Sequence, residues 1–455
     1  MAVQFETSET FVSVERGEVD RKIFSDQEIF DREMEHIFGR AWLFLCHESQ
    51  LKKAGDFFEA PMGRDNVLVV RQKDGSLKGL LNTCTHRGNA VCRAEEGNTK
   101  NFMCTYHGWT FNLAGDLVGV PGLEELYHGD LDPSKHGLRE VAQLDTYNGF
   151  VFATMDAEAP SLHDYLGETG RVGINLIAAR GDMEVIPGIQ KFIIPCNWKF
   201  AVDNLFDWYH AMITHISAFQ SGALPSMPGD EDAKLIDGGG AETPDGTVIK
   251  LPGGSAGGDV IKSIVCVDTF GHAIAGPARE DGGSLFPDDW RDLPKAQEML
   301  GPIGVDVAGH PNIFPSAWVS PGTIQMSLRI PLSPTETEVW WFSFVDKNAT
   351  PEVRAMTVNV ANHVFGPAGV LEQEDGENWA QSTLQTHGSA SREVPQLLKM
   401  NLGRGEVVKD DQGPPRIYGT TSEHAQLWTY AAWEAWISGC GWDELRERTT
   451  PPDVL

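Results

Sequence analysis

No stretch of this chain stays apolar for the roughly 18 residues a bilayer span requires, and its first residues, Met1-Ala-Val-Gln-Phe-Glu-Thr-Ser-Glu, form neither a basic nor an apolar leader. The expectation is a cytoplasmic protein with no membrane association. Positive charge is also scarce. Thirty-six Lys and Arg face 65 Asp and Glu, and the resulting net charge of −29 repels phosphate backbones, which excludes nucleic acid as a partner. The seven cysteines (Cys46, Cys84, Cys92, Cys104, Cys196, Cys266, Cys440) are odd in number and thinly spread, which argues against a disulfide framework and leaves thiols that are free or are ligands. Internal repeats and low-complexity tails are missing as well. What remains is ordinary globular composition, 41% hydrophobic and 22% charged over 455 residues, enough for two or three domains.

The chain reads as an α+β protein. A helix is expected from about Ser25, where Ser25 and Glu28 form a capping box and Ile29, Phe30, Met34, Ile37 and Phe38 recur at helical spacing. From Trp42 to Asp164 the texture is a small all-β unit: Val67-Leu-Val-Val, a Lys73-Asp-Gly-Ser turn and Leu77-Lys-Gly-Leu-Leu make a hairpin, and Thr110-Phe-Asn-Leu is followed by an Ala114-Gly-Asp turn. The remainder, residues 1–41 and 165–455, is expected to form one larger domain with an antiparallel sheet flanked by helices. Its clearest strands are Ile324–Ile330 and Val339–Val345, and its helices fall at Pro351–Phe365, Glu377–Gln385 and Ser422–Ile437. Ser221–Asp259, with Gly238-Gly-Gly and Pro252-Gly-Gly-Ser-Ala-Gly-Gly, is too glycine-rich to be regular and reads as a long surface or lid loop. Gly253-Gly-Ser255-Ala-Gly257 matches G-x-S-x-G, but Pro252 before it and Gly258-Asp after it deny it the strand and helix that a nucleophile elbow needs.

Two cysteine–histidine pairs carry chemistry. Cys84-Thr-His86 and Cys104-Thr-Tyr-His107 place two thiolates and two imidazoles on two loops of the small β unit. Four such ligands would also suit tetrahedral zinc. Each loop, however, supplies one Cys and one His, so a binuclear cluster can take both sulfurs on one iron and both imidazoles on the other, the [2Fe–2S] Rieske arrangement. His86-Arg87-Gly88 and His107-Gly108-Trp109 put glycines where the loops must bend closely and an aromatic where it can shield a cluster. No G-x-G-x-x-G follows a strand and no plant-type C-x₄-C-x₂-C is present, so neither a nicotinamide site nor a second iron–sulfur domain is evident and electrons are expected from elsewhere.

Trp42-Leu-Phe-Leu-Cys-His-Glu-Ser, Asn82-Thr-Cys-Thr-His-Arg-Gly and Cys104-Thr-Tyr-His-Gly-Trp resemble the N-terminal domain of the α (terminal oxygenase) subunit of Rieske non-haem iron aromatic-ring-hydroxylating dioxygenases, and the similarity extends nearly end to end. The second constellation is Asp207, His210 and His215. Two histidines five apart cannot share one face of a regular helix, so a ligand pair here needs a helix end, a kink or a π-type irregularity. In Val370-Leu-Glu-Gln-Glu-Asp-Gly-Glu-Asn-Trp the adjacent Glu374 and Asp375 are both acidic, and sequence alone does not choose between them. The resemblance favours Asp375 as the carboxylate of a two-His, one-carboxylate Fe(II) site with His210 and His215, leaving positions open for O₂. Glu372 and Glu377 are expected to face solvent or to support the ligands. The resemblance further implies that Asp207 links His210 to the Rieske histidine of a neighbouring subunit, His107 here. The spacing before Asp207 departs by one residue from that of many ring dioxygenases, so Asn204 is given no catalytic role.

The resemblance thus implies cis-dihydroxylation of an aromatic ring with O₂, in an α₃ core often joined by a small β subunit (α₃β₃). A pocket of Phe206, Trp208, Ala211, Met212, Phe219, His310, Phe314, Phe365 and Leu371 is apolar apart from His310. It favours an uncharged ring of the naphthalene, biphenyl or polycyclic type, because an aromatic acid would want a buried Arg or Lys. The same ligands would serve a Rieske monooxygenase or demethylase. A zinc-stabilised binding protein and a pure electron carrier are the rivals from other classes. The five remaining cysteines are expected to pack as small hydrophobes.

Overall fold

The computed structural model describes residues 10–215, 217–218, 234–236, 240–242, 248–250, 262–279 and 288–455. Phe219, Gly253–Gly257 and most of the expected lid loop lie outside these residues. Two compact units are present: Met34–Tyr165 with Asp182–Val185, and Met1–Glu33 with Leu166–Gly181 and Ile186–Leu455. The first division falls inside the helix Gln27–His36, earlier than the expected Trp42, and a short strand segment after residue 181 joins the smaller unit. The helix is capped by Asp26, whose carboxylate accepts the backbone N–H of Glu28 and Ile29, so the cap is one residue later than the Ser25 of the sequence reading.

The smaller unit is β-rich. Strands Leu77–Leu81, Asp65–Arg71, Asp56–Met62 and Glu96–Asn98 form an antiparallel sheet in that order. Val67 to Val70 are buried on both faces of this sheet, and Gly63 and Gly75, both at positive φ, make the two tight reversals. Asn101–Met103, Thr110–Asn112 and Leu117–Gly119 build a second small sheet, and Leu43–His47, Phe150–Thr154 and Gln143–Tyr147 a third. Phe57, Leu68, Val70, Leu80, Phe102, Trp109 and Phe111 form the core, and Cys84 and Cys104 sit within it.

The larger unit is built on an antiparallel sheet that runs Gln190–Ile194, Glu336–Asp346, Gln325–Ser333, Ala317–Ser320, His310–Ile313, Ala273–Pro277, Lys262–Val267, Gly413–Thr420 and Val408–Asp410. Three short strands, Lys234–Ile236, Gly240–Glu242 and Val248–Lys250, pair antiparallel through three residues each inside the segment expected to be irregular, because so short a pairing needs little more than a reversal of direction. Helix His424–Ile437 is buried on nearly every side, which its tryptophans permit by donating their indole N–H groups: Trp428 to Asp268 O, Trp433 to Glu33 Oε1 and Trp436 to Phe270 O. Glu33 also accepts from Lys199 Nζ at 2.5 Å and Trp198 Nε1 at 2.9 Å, so a fully buried carboxylate anchors the helix Trp198–Asp203 that leads into the histidine segment. Helix Val370–Gln385 starts seven residues before the expected Glu377 and buries Glu372, Asp375, Gly376, Trp379 and Thr383, one face at helical spacing. Gly376 allows the close approach, since a Cβ there would stand 3.3 Å from Ile194 Cδ1.

Candidate metal centres

The two cysteine–histidine loops of the smaller unit are built alike. Gly88 N–H bonds to Cys84 O at 2.8 Å and Gly108 N–H to Cys104 O at 2.9 Å, with φ +76° and +75° at the two glycines. Cys84 N–H closes on Asn89 O and Cys104 N–H on Trp109 O, both at 2.8 Å. Each loop is thereby a tight reversal that a side chain at the glycine would strain. The thiols are buried and face one another. Burial pushes the Cys84 thiol up. At Cys104 burial is outweighed by the N–H of Tyr106, the Asn89 amide and the Cys84 thiol, which together pull it below its ordinary value. The His86 and His107 rings lie 4.6 Å apart at 73°, and Trp109 stacks on His86 at 4.7 Å. Nδ1 of His86 is buried without a hydrogen-bond partner. Two inner sulfurs, two outer imidazoles and an orphaned ring nitrogen fit a Rieske cluster.

In the larger unit the chain breaks helix exactly where the spacing demands. Asp207 leaves helical geometry at φ −94°, ψ 74°, and a single turn, Ala211–Thr214, follows with His210 capping its start and His215 its end. This brings the rings to 5.2 Å at 74°. Asp375 reaches them from helix Val370–Gln385: its Oδ1 is 3.4 Å from His210 Nε2 and 3.3 Å from His215 Nε2. Ligand atoms of the three residues all lie within 4.8 Å of one another, and Asp375 Oδ1 is buried without a hydrogen bond. The donor set fits a mononuclear iron.

Glu374, the other acidic candidate, points elsewhere: its Oε2 meets His215 Nδ1 at 2.9 Å, and its other oxygen accepts from Ser217. It therefore orients a ligand. Asp207 Oδ1 accepts the backbone N–H of His210 at 3.2 Å and lies 3.6 Å from His210 Nδ1. Burial pulls the His210 imidazolium down, but Asp207 and Asp375 outweigh it and push the ring up to about 10. Glu377 is exposed and bonds Gln381, whereas Glu372 faces the interior and is fully buried in an ion pair with Arg329 at 2.7 Å. The guanidinium of Arg329 is caged by Trp318, Trp341 and Trp379.

The sequence profile of the Rieske [2Fe-2S] domain matches residues 41–143, and that of the ring hydroxylating alpha subunit (catalytic domain) matches residues 177–407. The chain belongs to the ring-hydroxylating dioxygenase α subunits. Biphenyl 2,3-dioxygenase subunit alpha of Rhodococcus jostii (strain RHA1) is 36% identical, covering 94% of this chain and 91% of its own. Benzene 1,2-dioxygenase subunit alpha of Pseudomonas putida is 35% identical over 96% of this chain and 95% of its own. A solved naphthalene 1,2-dioxygenase with indole bound in the active site is similar at a TM-score of 0.80, 27% identity and 97% of either chain. Like these relatives, this α subunit is the terminal oxygenase of an aromatic ring-hydroxylating system, and its cofactors are a Rieske [2Fe–2S] cluster and a mononuclear iron.

The three iron-site residues of this α subunit line a cavity of about 110 Å³. Of the pocket expected from sequence, Trp208, Ala211, His310, Phe365 and Leu371 line it. Phe206 and Phe314 do not: Phe206 belongs to the hydrophobic core, and Phe314 is buried in a stack on Trp436, 5.7 Å between centroids. The Met212 side chain lies outside the described residues. Burial holds His310 down at about 3, so the ring is neutral beside Trp208 and Trp318. Sequence reasoning missed Arg180, Trp290 and Arg291 on the cavity wall. They come from two places remote from the metal motif, Arg180 and the adjacent pair Trp290-Arg291, and no local pattern announces them. Among the spare cysteines, Cys46, Cys196 and Cys266 are buried as expected, while Cys92 and Cys440 are only half-buried. Among the described residues no helix is long and apolar enough to cross a membrane.

Proposed function

We propose that this α subunit adds both atoms of O₂ to adjacent carbons of an apolar aromatic ring, of the naphthalene, biphenyl or polycyclic type, to give a cis-dihydrodiol. The observation that carries the reading is the convergence of His210, His215 and Asp375 on a cavity whose apolar walls are Leu205, Trp208, Trp318, Val364, Phe365 and Leu371. His210, His215 and Asp375 would hold the iron, which would supply the O₂ chemistry, and Cys84, His86, Cys104 and His107 would hold the cluster, which would supply one-electron chemistry. The protein's own contribution is placement. Phe365, Leu371 and the two tryptophans exclude water and offer flat apolar faces to a ring. Neutral His310 bounds the cavity without adding charge, and Glu374 keeps His215 Nε2 turned toward Asp375.

Asp207 holds His210 by its carboxylate. It also borders a second, polar cavity with Asn204, Tyr209, Asn378, Gln381 and Glu423, so it has one side toward the iron ligands and one away from them. That placement supports a bridging role toward His107 of a neighbouring subunit in an α₃ core, joined by a β subunit in an α₃β₃ assembly. The electron donors would be an NADH-dependent reductase and a ferredoxin. Asp207→Ala should then leave metal content unchanged and stop turnover; retained activity would remove the bridge. Turnover under ¹⁸O₂ tests the reaction itself: both diol oxygens should carry label, and a product with one labelled oxygen would replace the dioxygenase reading by a monooxygenase.

A further inference from the structure

Opposite in character to the apolar walls, one part of the metal cavity is rich in donors. Arg180 gives Nε to Leu176 O at 2.9 Å and Nη2 to Pro321 O at 2.6 Å, which leaves Nη1 without a hydrogen bond among the described residues. Arg291, 2% exposed, gives Nη1 to Gly304 O at 2.7 Å and Val305 O at 3.2 Å, while its Nε is buried with no partner. The Trp290 ring lies against both guanidinium groups, 4.0 Å from Arg180 and 4.9 Å from Arg291, and its Nε1 is also buried and unpartnered. All three residues line the cavity that holds the iron ligands.

Nearby carboxylates, Asp288 for both guanidinium groups and Asp306 for Arg291, act on their charge without a hydrogen bond from either side chain. Asp288 and Asp292 both bond Arg279, at 3.1 Å and 2.7 Å. The other acidic residues lining the cavity, Asp207 and Asp375, belong to the iron site. Two buried guanidinium cations beside an indole donor, with no carboxylate bonded to either, make a place for an acceptor that carries negative charge.

We propose that Arg180 and Arg291, with the N–H of Trp290, bind a carboxylate substituent of the aromatic substrate and so hold the ring against the iron ligands. The inference rests on the dioxygenase reading and departs from the uncharged-ring expectation, whose ground, the lack of a buried Arg or Lys, is removed by Arg180 and Arg291 on the cavity wall: the ring face is recognised as in a hydrocarbon, and the substituent sets preference. A planar guanidinium suits a carboxylate's two oxygens, and charge-assisted pairing in a dry cavity is stronger than its neutral counterpart. A plain hydrocarbon leaves the same donors unmatched.

The test uses the complete oxygenase with its electron donors on three matched pairs: benzene and benzoate, naphthalene and 2-naphthoate, biphenyl and biphenyl-4-carboxylate. In at least one pair the acid should exceed its parent in kcat/KM by about tenfold. Arg180→Gln should lower that ratio by about tenfold, and Arg180→Lys should recover part of it. A purely structural arginine would depress both members of a pair alike and leave the ratio unmoved, which would overturn the proposal, as would preference for the parent in all three pairs. If no compound gives a cis-diol, it is the dioxygenase reading that fails. Calorimetric binding of the three acids to the same protein without O₂ still judges the arginines in that case, with binding lost in Arg180→Gln as the supporting result and unaltered binding as the refuting one.

Discussion

The carboxylate of Glu374 decides which way the His215 ring can face. By accepting from Nδ1 it leaves Nε2 for the metal, and removing such a partner from a ligating imidazole costs about 10- to 100-fold in metal affinity. Glu374→Leu should therefore bind iron more weakly by that factor in a competition titration with a chelator, while the cluster absorption stays unchanged. Asp203 offers a second residue-level test. Burial pushes its carboxyl up to about 7, against the pull of the Tyr430 hydroxyl at 2.6 Å and the Gln396 amide. Because the folded value lies above the unfolded one, the protonated form stabilises the fold fully below about pH 4, and that stability is lost as pH rises toward and through 7. Denaturant midpoints measured from pH 4 to pH 8 should fall more steeply for the native protein than for Asp203→Asn, which keeps an acceptor for Tyr430 but cannot ionise. The difference should amount to a few kcal/mol; parallel profiles would show that Asp203 stays ionised.

At the level of elements, helix Val370–Gln385 is pinned to the sheet by one ion pair, Glu372 with Arg329, one turn before the ligand Asp375. Neither side chain reaches water. Glu372→Ala strands a guanidinium among three tryptophans and should cost about 3–5 kcal/mol, whereas the double change Glu372→Leu with Arg329→Met should recover most of it, as read by thermal unfolding. That helix also shows where sequence reading reaches and where it stops. Short-range chemistry was legible: the Cys84–His86 and Cys104–His107 loops, the Val67–Leu81 hairpin and the broken helix between His210 and His215 each follow from residues a few positions apart. The start of Val370–Gln385 was not, because its first turns carry acids whose burial depends on Arg329 from a distant strand. Arg180 and Arg291 were invisible for the same reason. Each looks like an ordinary charged residue until the sheet folds a cavity against it. The choice between Glu374 and Asp375 likewise needed a backbone, since neighbouring helical residues point about 100° apart.

For the whole molecule, the metal-binding residues are divided between the two units, Cys84 and Cys104 in the core of the smaller and His210, His215 and Asp375 in the larger. A mild chelator should accordingly remove the mononuclear iron first and leave the two irons of the [2Fe–2S] cluster, with its visible spectrum intact; simultaneous loss of both would show that the centres are coupled. The net charge of −29 makes the cationic wall of the cavity a local exception, so an anionic substrate should bind more readily as salt screens the field it must cross.

The larger unit is also interrupted in sequence. Its sheet needs Gly413–Thr420 beside Lys262–Val267, and its N-terminal segment is tied by Phe11 N–H and Val12 N–H to Glu434, at 2.5 and 3.0 Å and more than 420 residues away. The smaller unit is complete once Val185 has been made. On the ribosome, then, the cluster-binding unit can mature while the iron-binding unit still waits for most of its residues, and stalled nascent chains should acquire protease resistance in that order. A cell making this protein must load sulfur and iron into a half-synthesised chain, or keep it open until they arrive.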